Sequence, residues 1–225
     1  MIIAIDGLAA SGKSTTAQQV ARQLGFTYLD TGAMYRAVTL AILERNLDLR
    51  DDAGLRALLS ELSLELGYDH DEQRIYLNGR DVTQAVRSQR VTSRVSAVSA
   101  LPLVREAMVK IQRELGTKAD CVVEGRDIGT VVFPQAELKF FIVADYETRA
   151  RRRQSDLRRL GEEQPLEIIM EDLKKRDEWD ASRAHSPLKK ATDAIVIDTS
   201  NLTIEKQVAV VVEHYKHYLE RRKGK

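Results

Sequence analysis

The segment Gly7-Leu8-Ala9-Ala10-Ser11-Gly12-Lys13-Ser14 constrains this chain more than any other feature. It fits the pattern G-x-x-x-x-G-K-[ST] without a mismatch. That pattern has physical content only between a strand and a helix, and both flanks are present. Ile2-Ile3-Ala4-Ile5 is a short β-branched run without alternation, the form of a strand covered on both faces in a parallel sheet. Thr15 to Leu24 carries apolar residues at 17, 20, 21 and 24, and Gly25 stands where a helix C-cap glycine belongs. In this order the glycines let the backbone wrap closely, so that successive N–H groups and the helix N-terminus face phosphate groups. Lys13 is then expected at the β- and γ-oxygens of a nucleoside triphosphate, Ser14 on Mg²⁺ and Thr15 on a phosphate.

Further apolar runs at Cys121 to Val123, Phe140 to Val143 and Ile195 to Ile197 read as buried strands. Between them Tyr146 to Arg159 and Leu166 to Asp177 have helical periodicity, as does Ile204 to Leu219 at the end, with a basic tail from Arg221. Alternation of this kind implies crossover connections and an α/β fold with a central parallel sheet. One region breaks it. Leu62-Ser63-Leu64-Glu65-Leu66 and Arg74-Ile75-Tyr76-Leu77 alternate with period two, and Asn78-Gly79 is a tight-turn signal. A small antiparallel insertion is expected at about 60–88. The core is then 1–30 with 89–225, and 31–88 carries the insertion as a subdomain on that core, not as an independent module.

The chain holds 35 basic and 34 acidic residues and is 43% apolar. It is long enough for one large domain with an insertion, and no net field draws it to nucleic acid or to a membrane surface. A single cysteine, Cys121, excludes an internal disulfide and reads as a buried strand thiol. The apolar N-terminus breaks at Asp6-Gly7, and no stretch approaches the ~20 apolar residues of a membrane span. A cytoplasmic monomer is expected. The four histidines, His70, His185, His214 and His217, receive no role, and Trp179 is expected to have a structural role on a segment packed against the core, the alternative being a stack on a nucleotide.

Switches, motors, transport ATPases and small-molecule kinases all share the glycine-rich loop, so the acceptor side must decide between them. Phosphoryl transfer needs two anions held in line and the developing charge compensated away from water. The run Arg149, Arg151, Arg152, Arg153, Arg158 and Arg159 before Gly161 has the density for a lid at about 149–163, although such runs also form solvated helix faces. Asp30-Thr31-Gly32-Ala33-Met34-Tyr35-Arg36 ends a strand and opens a helix, where a hydroxyl, backbone N–H groups and an arginine can face one anion. Glu124-Gly125-Arg126-Asp127 follows a buried strand at the carboxyl edge, where ligands bind in parallel sheets.

These strings, with Gly125-Arg126-Asp127-Ile128-Gly129-Thr130-Val131-Val132-Phe133-Pro134 and Arg176-Asp177 through Arg183, resemble the bacterial cytidylate kinase family nearly end to end. The resemblance implies a P-loop NTPase three-layer fold with a small antiparallel NMP-binding insertion and an arginine-rich lid. It implies transfer of phosphoryl from ATP, with Mg²⁺, to CMP or dCMP. Carried over by position, Arg36, Arg126 and Arg183 clamp the acceptor phosphate, and Thr31 and Tyr35 line that pocket. Ser96, Arg105 and Asp127 read cytosine, a carboxylate accepting from the exocyclic amine while an arginine and a hydroxyl satisfy O2 and N3. Arg176 and Asp180 hold the sugar, and Lys13, Arg149 and Arg153 stabilise the transferring group. Thr31 stands where many members have serine, and Glu124 where aspartate is common. The alternatives are another P-loop monophosphate or metabolite kinase and, from a different class, a P-loop switch protein.

Overall fold

The computed structural model describes residues 1–69, 72–159, 161–183 and 185–223. In chain order the elements are β1 (Ile2–Gly7), α1 (Lys13–Leu24), β2 (Thr27–Asp30), α2 (Thr31–Glu44), α3 (Asp52–Glu61), β3 (Leu64–Asp69), β4 (Glu72–Leu77) and β5 (Arg80–Asp81). There follow α4 (Gln89–Val98), α5 (Pro102–Gly116), β6 (Cys121–Gly125), β7 (Leu138–Val143), α6 (Tyr146–Arg159), α7 (Leu166–Ser182), β8 (Ile195–Asp198) and α8 (Ile204–Lys223). Two compact units result, Met1–Tyr28 with Ala119–Lys225, and Leu29–Lys118.

The first unit is built on a five-stranded sheet in the order β2-β6-β1-β7-β8. β1 runs parallel to β6 and β7, and β7 runs parallel to β8. On one face Ile3, Ile5, Val122, Phe140, Ile142 and Ile197 pack with Ala17, Val20 and Ala21 of α1 and Val208, Val211 and Val212 of α8. Ala4, Cys121 and Val123 have the opposite parity and are also fully buried. Both faces are therefore covered, which is why these strands read as continuous apolar runs. Burial pushes the Cys121 thiol up from its ordinary pKa, as suits an inert strand cysteine. Each well-buried aliphatic or aromatic side chain of this layer contributes about 1.5–3 kcal/mol.

The second unit holds the antiparallel sheet β3-β4-β5. Leu64 pairs with Leu77 and Leu66 with Ile75, so one face of the alternating strands turns inward. Asn78 and Gly79 both take positive φ, 50° and 76°, the geometry a two-residue hairpin demands, and join β4 to β5. The β3–β4 connection, including His70, lies outside the described residues, as does Leu160 in the expected lid. Helices α3, α4 and α5 complete this unit. Leu55, Leu58, Val91, Val95, Val104 and Met108 from them close over Met34 and Val38 of α2.

α8 is longer than its apolar periodicity and carries the basic end to Lys223, where cations favour the helix C-terminus. Trp179 does not pack into the core: on α7 it is half exposed, a correction to the sequence expectation.

The tightest steric point of the sheet is Gly7. A Cβ there would lie 2.2 Å from the Ile142 carbonyl oxygen on the neighbouring strand. Gly7→Ala must open the end of the β1–β7 pairing and is expected to lower unfolding stability by about 3 kcal/mol, the upper end of ordinary overpacking costs. Urea titration followed by circular dichroism measures it.

Candidate active site

The loop Gly7–Ser14 turns out of β1 into α1. Leu8 N–H donates to Ile142 O, and Ser11 Oγ donates to Leu8 O at 2.9 Å, so the loop is held from within. Gly12 caps α1 in the left-handed region at φ 89°, and a Cβ there would crowd the Gln207 amide at 3.1 Å. The first turn of α1 leaves its N–H groups without intrahelical acceptors and carries the positive end of the helix dipole. This is an anion site assembled from backbone alone. Leu8, Ala9, Ala10 and Thr15 lie along the same turn and helix start.

Lys13 is buried, its Nζ 4.0 Å from Glu124 Oε2. Ser14 Oγ donates to that same oxygen at 2.8 Å, and the Tyr28 hydroxyl donates to Glu124 Oε1 at 2.5 Å. Glu124 sits at the end of β6, paired in register with Ile5. Ser14 and Glu124 thus present adjacent hard oxygen donors beside the phosphate loop. The pair fits Mg²⁺, which typically takes one or two protein oxygens and completes its octahedron with phosphate oxygens and water. The sequence places Glu124 at the carboxyl edge and as a departure from aspartate, but gives it no metal role. A carboxylate closing an apolar strand opposite the phosphate loop was the signal for it.

α6 grips the back of the loop. Arg149 is fully buried: its Nη1 donates to Ala9 O at 3.3 Å and to Asp177 Oδ2 at 2.6 Å, and its guanidinium lies over the Tyr146 ring. Arg152 donates to Ser11 O at 3.1 Å and to the hydroxyl and carbonyl of Thr199. Gln207 Oε1 accepts from Thr16 Oγ1 at 2.7 Å. Two arginines of the expected lid are thus spent on loop carbonyls. Arg153, half-buried and one residue on, has no hydrogen bond or ion pair among the described residues. Arg151, Arg158 and Arg159 are exposed, a solvated face as charge runs usually are.

Past β6 the chain passes Arg126 and Asp127 into a single π-helical turn, Ile128–Val132. Such turns are rare and concentrate at functional sites. Arg126 Nε donates to Asp180 Oδ2 at 3.0 Å, and Arg183 Nη2 donates to Asp180 Oδ1. Asp180, 2% exposed, therefore bridges two of the arginines expected at the acceptor phosphate. Arg176, Asp180 and Arg183 recur at i, i+4 and i+7, one face of α7 and its C-cap. Asp127 is buried at the start of the π-turn.

Asp6, which sequence reasoning passed over, is buried beside this turn. Both its oxygens accept, from Ile128 N–H and Gly129 N–H, each at 2.8 Å.

In the second unit Asp30 caps α2, accepting from Ala33 N–H at 2.9 Å, and Thr31 and Tyr35 are buried in the first turns. Arg36 donates to Thr92 Oγ1 on α4 at 2.8 Å, and Ser96 lies one turn further along that helix. Arg105 of α5 is 5% exposed, donates to Ser99 O at 3.4 Å and lies over the Tyr35 ring at 5.6 Å. Thr31, Tyr35, Arg36, Ser96 and Arg105 thus belong to this unit, and Arg126, Asp127, Arg176, Asp180 and Arg183 to the other.

Burial raises the Asp6 carboxyl from 3.8 to about 6, against the lowering effect of its two backbone donors. The folded protein therefore holds this proton more tightly than the unfolded chain. Its contribution to stability is fully present below pH ~4 and is lost as pH rises through ~6, a difference of about 3 kcal/mol. In urea titrations the stability of the protein relative to Asp6→Asn is expected to fall across that window and to stay level above it.

The cytidylate kinase family model matches residues 3–217. Among curated relatives, the cytidylate kinase of Carboxydothermus hydrogenoformans is 49% identical over 213 residues, covering 95% of this chain and 96% of its own. That of Halalkalibacterium halodurans is 47% identical over 216 residues, with 96% and 97% covered. Among solved structures, an uncharacterized protein from Eubacterium ventriosum aligns with TM-score 0.50 at 13% identity over 95% of this chain and 97% of its own, a likeness of fold alone. With the phosphate loop, the Asp30–Arg36 helix start and the Gly125–Pro134 turn all in place, the chain belongs to the cytidylate kinase family.

Proposed function

We propose that this chain transfers the γ-phosphoryl group of ATP to CMP and dCMP, giving ADP and CDP or dCDP, by one in-line displacement without a covalent intermediate. The observation that carries the reading lies at the carboxyl ends of the adjacent strands β1 and β6. One strand leads into a backbone anion cradle with Lys13. The other leads into the Arg126–Asp180–Arg183 network, in which Asp180 is buried, as is Asp127 beside it. Two anion-directed sets on neighbouring strand ends are what phosphoryl transfer between nucleotides requires.

In this reading the loop amides and Lys13 compensate the triphosphate charge. Ser14 and Glu124 would hold Mg²⁺, which would supply compensation of the triphosphate charge. Arg149 and Arg152 stiffen the loop through its carbonyls, and Arg153 is the lid arginine left to meet the transferring group. Arg36, Arg126 and Arg183 take the acceptor phosphate, with Thr31 and Tyr35 lining it. Asp127 accepts from the cytosine N4 amine, and Ser96 and Arg105 meet O2 and N3. Uracil would set a carbonyl against a buried carboxylate, an arrangement that costs several kcal/mol. Arg176 and Asp180 lie at the sugar, with Asp180 also orienting the two phosphate arginines. Nucleotide substrates and a single buried thiol suit the cytoplasm.

The test is ADP release from ATP and Mg²⁺ with CMP, dCMP, UMP, AMP, GMP or shikimate as acceptor. Turnover is expected with CMP and dCMP and is abolished by Lys13→Ala. Asp127→Ala is expected to cut kcat/KM for CMP roughly 100-fold or more, with KM for ATP changed less than about threefold. Turnover with AMP or shikimate would refute the acceptor assignment. ATP hydrolysis indifferent to any acceptor would refute the kinase reading.

A further inference from the structure

We infer that Asp6 is a positioning residue for the acceptor loop: its carboxylate fixes the backbone from which Arg126 and Asp127 project. The phosphate-loop pattern asks for no acid before its first glycine. A carboxylate with 4% exposure at the end of a sheet strand covered on both faces is costly unless its oxygens are engaged. Here each oxygen takes one backbone donor, Oδ1 from Ile128 and Oδ2 from Gly129.

Those two amides open the π-helical turn and would otherwise lack acceptors, as at any helix start. The residue in the N-cap position, Asp127, makes no side-chain cap bond, so the capping is done across the sheet by Asp6. The other end of the same peptide segment is closed by the turn itself: Val131 and Val132 N–H donate to Asp127 O, and Phe133 N–H donates to Ile128 O. The Asp127–Ile128 peptide is thus held at both its carbonyl and its N–H, which fixes the backbone position from which the Asp127 side chain projects.

Gly129 supports the assignment independently. A Cβ there would lie 3.4 Å from Asp6 Oδ2 and 3.1 Å from Lys139 Cδ, so the loop backbone sits in contact distance of the carboxylate. Asp6 is also the residue directly before Gly7 and pairs in register with Gly125. One residue therefore ties the start of the phosphate loop to the start of the acceptor loop.

The inference rests on the proposed acceptor roles of Arg126 and Asp127, and its test separates the two. Steady-state kinetics are measured for Asp6→Asn, Asp6→Glu and Asp127→Ala with CMP, UMP and ATP varied in turn, alongside thermal unfolding. Asn keeps the shape but offers one accepting oxygen and sets an N–H₂ against the second amide. Asp6→Asn is expected to raise KM for CMP about tenfold and to lower the preference for CMP over UMP about tenfold, with KM for ATP within about twofold.

A merely structural role would lower the unfolding temperature or the active fraction without that split. Unchanged KM for CMP in folded Asp6→Asn, or an equal rise in both KM values, overturns the inference while a selective loss in Asp127→Ala upholds the acceptor reading. No selective loss in Asp127→Ala overturns both. Should Asp6→Asn not fold, Asp6→Glu, which keeps the charge and moves the oxygens by one methylene, carries the same expectation and the same refutation.

Discussion

The site depends on the packing at the carboxyl end of β1, where three backbones meet with no side chain between them. Gly7 lies against the Ile142 carbonyl on one side, and Asp6 pairs with Gly125 on the other. Because the strands are parallel, their carboxyl ends open on the same edge, and every loop that leaves there leaves toward the same ligands. The phosphate loop, Glu124 and the Arg126–Asp127 turn all issue from this edge. Their chemistry follows from that placement: a cradle of amides with a lysine, a carboxylate that holds Ser14, and an arginine beside a buried acid.

Around that edge, carboxylates organise cations. Asp180 aligns Arg126 with Arg183, Asp177 holds Arg149 under the phosphate loop, and Glu124 draws in Ser14 and Lys13. Removing one partner from such a buried pair leaves an uncompensated charge, which costs more than the pair contributes. Their value is geometric. Arginines held by side chains already in place lose little freedom when a phosphate arrives, so more of the binding energy is left to act on the transferring group. The loop carbonyls are served in the same way by Arg149, Arg152 and Thr199.

Much of this was legible in the sequence wherever the controlling interaction is local. The glycine-rich loop, its flanking strand and helix, the Asp30 cap of α2, the alternating strands of the small sheet and the Asn78-Gly79 turn all rest on neighbours within a few residues. What was missed depends on distant partners. Asp6 is tied to residues more than a hundred positions away, and Arg149 and Asp177 are paired across two helices, so the lid run gave no sign of which arginines were already committed. Asp180, read as a sugar contact, also bridges two arginines. Helices α3 to α5, although amphipathic, were not read from the sequence. Trp179 was expected against the core, yet α7 turns it outward while burying Asp177 and Asp180.

In the proposed function, cytosine is read by Asp127 while the triphosphate lies in the loop of Lys13. The most direct measurement is a crystal structure of the protein with CMP and a non-hydrolysable ATP analogue. The β-phosphate is expected among the amides of the Gly7–Ser14 loop and the cytosine N4 within about 3.2 Å of an Asp127 oxygen. A cytosine bound elsewhere, with Asp127 turned from it or separated by more than a hydrogen-bond length, would contradict it.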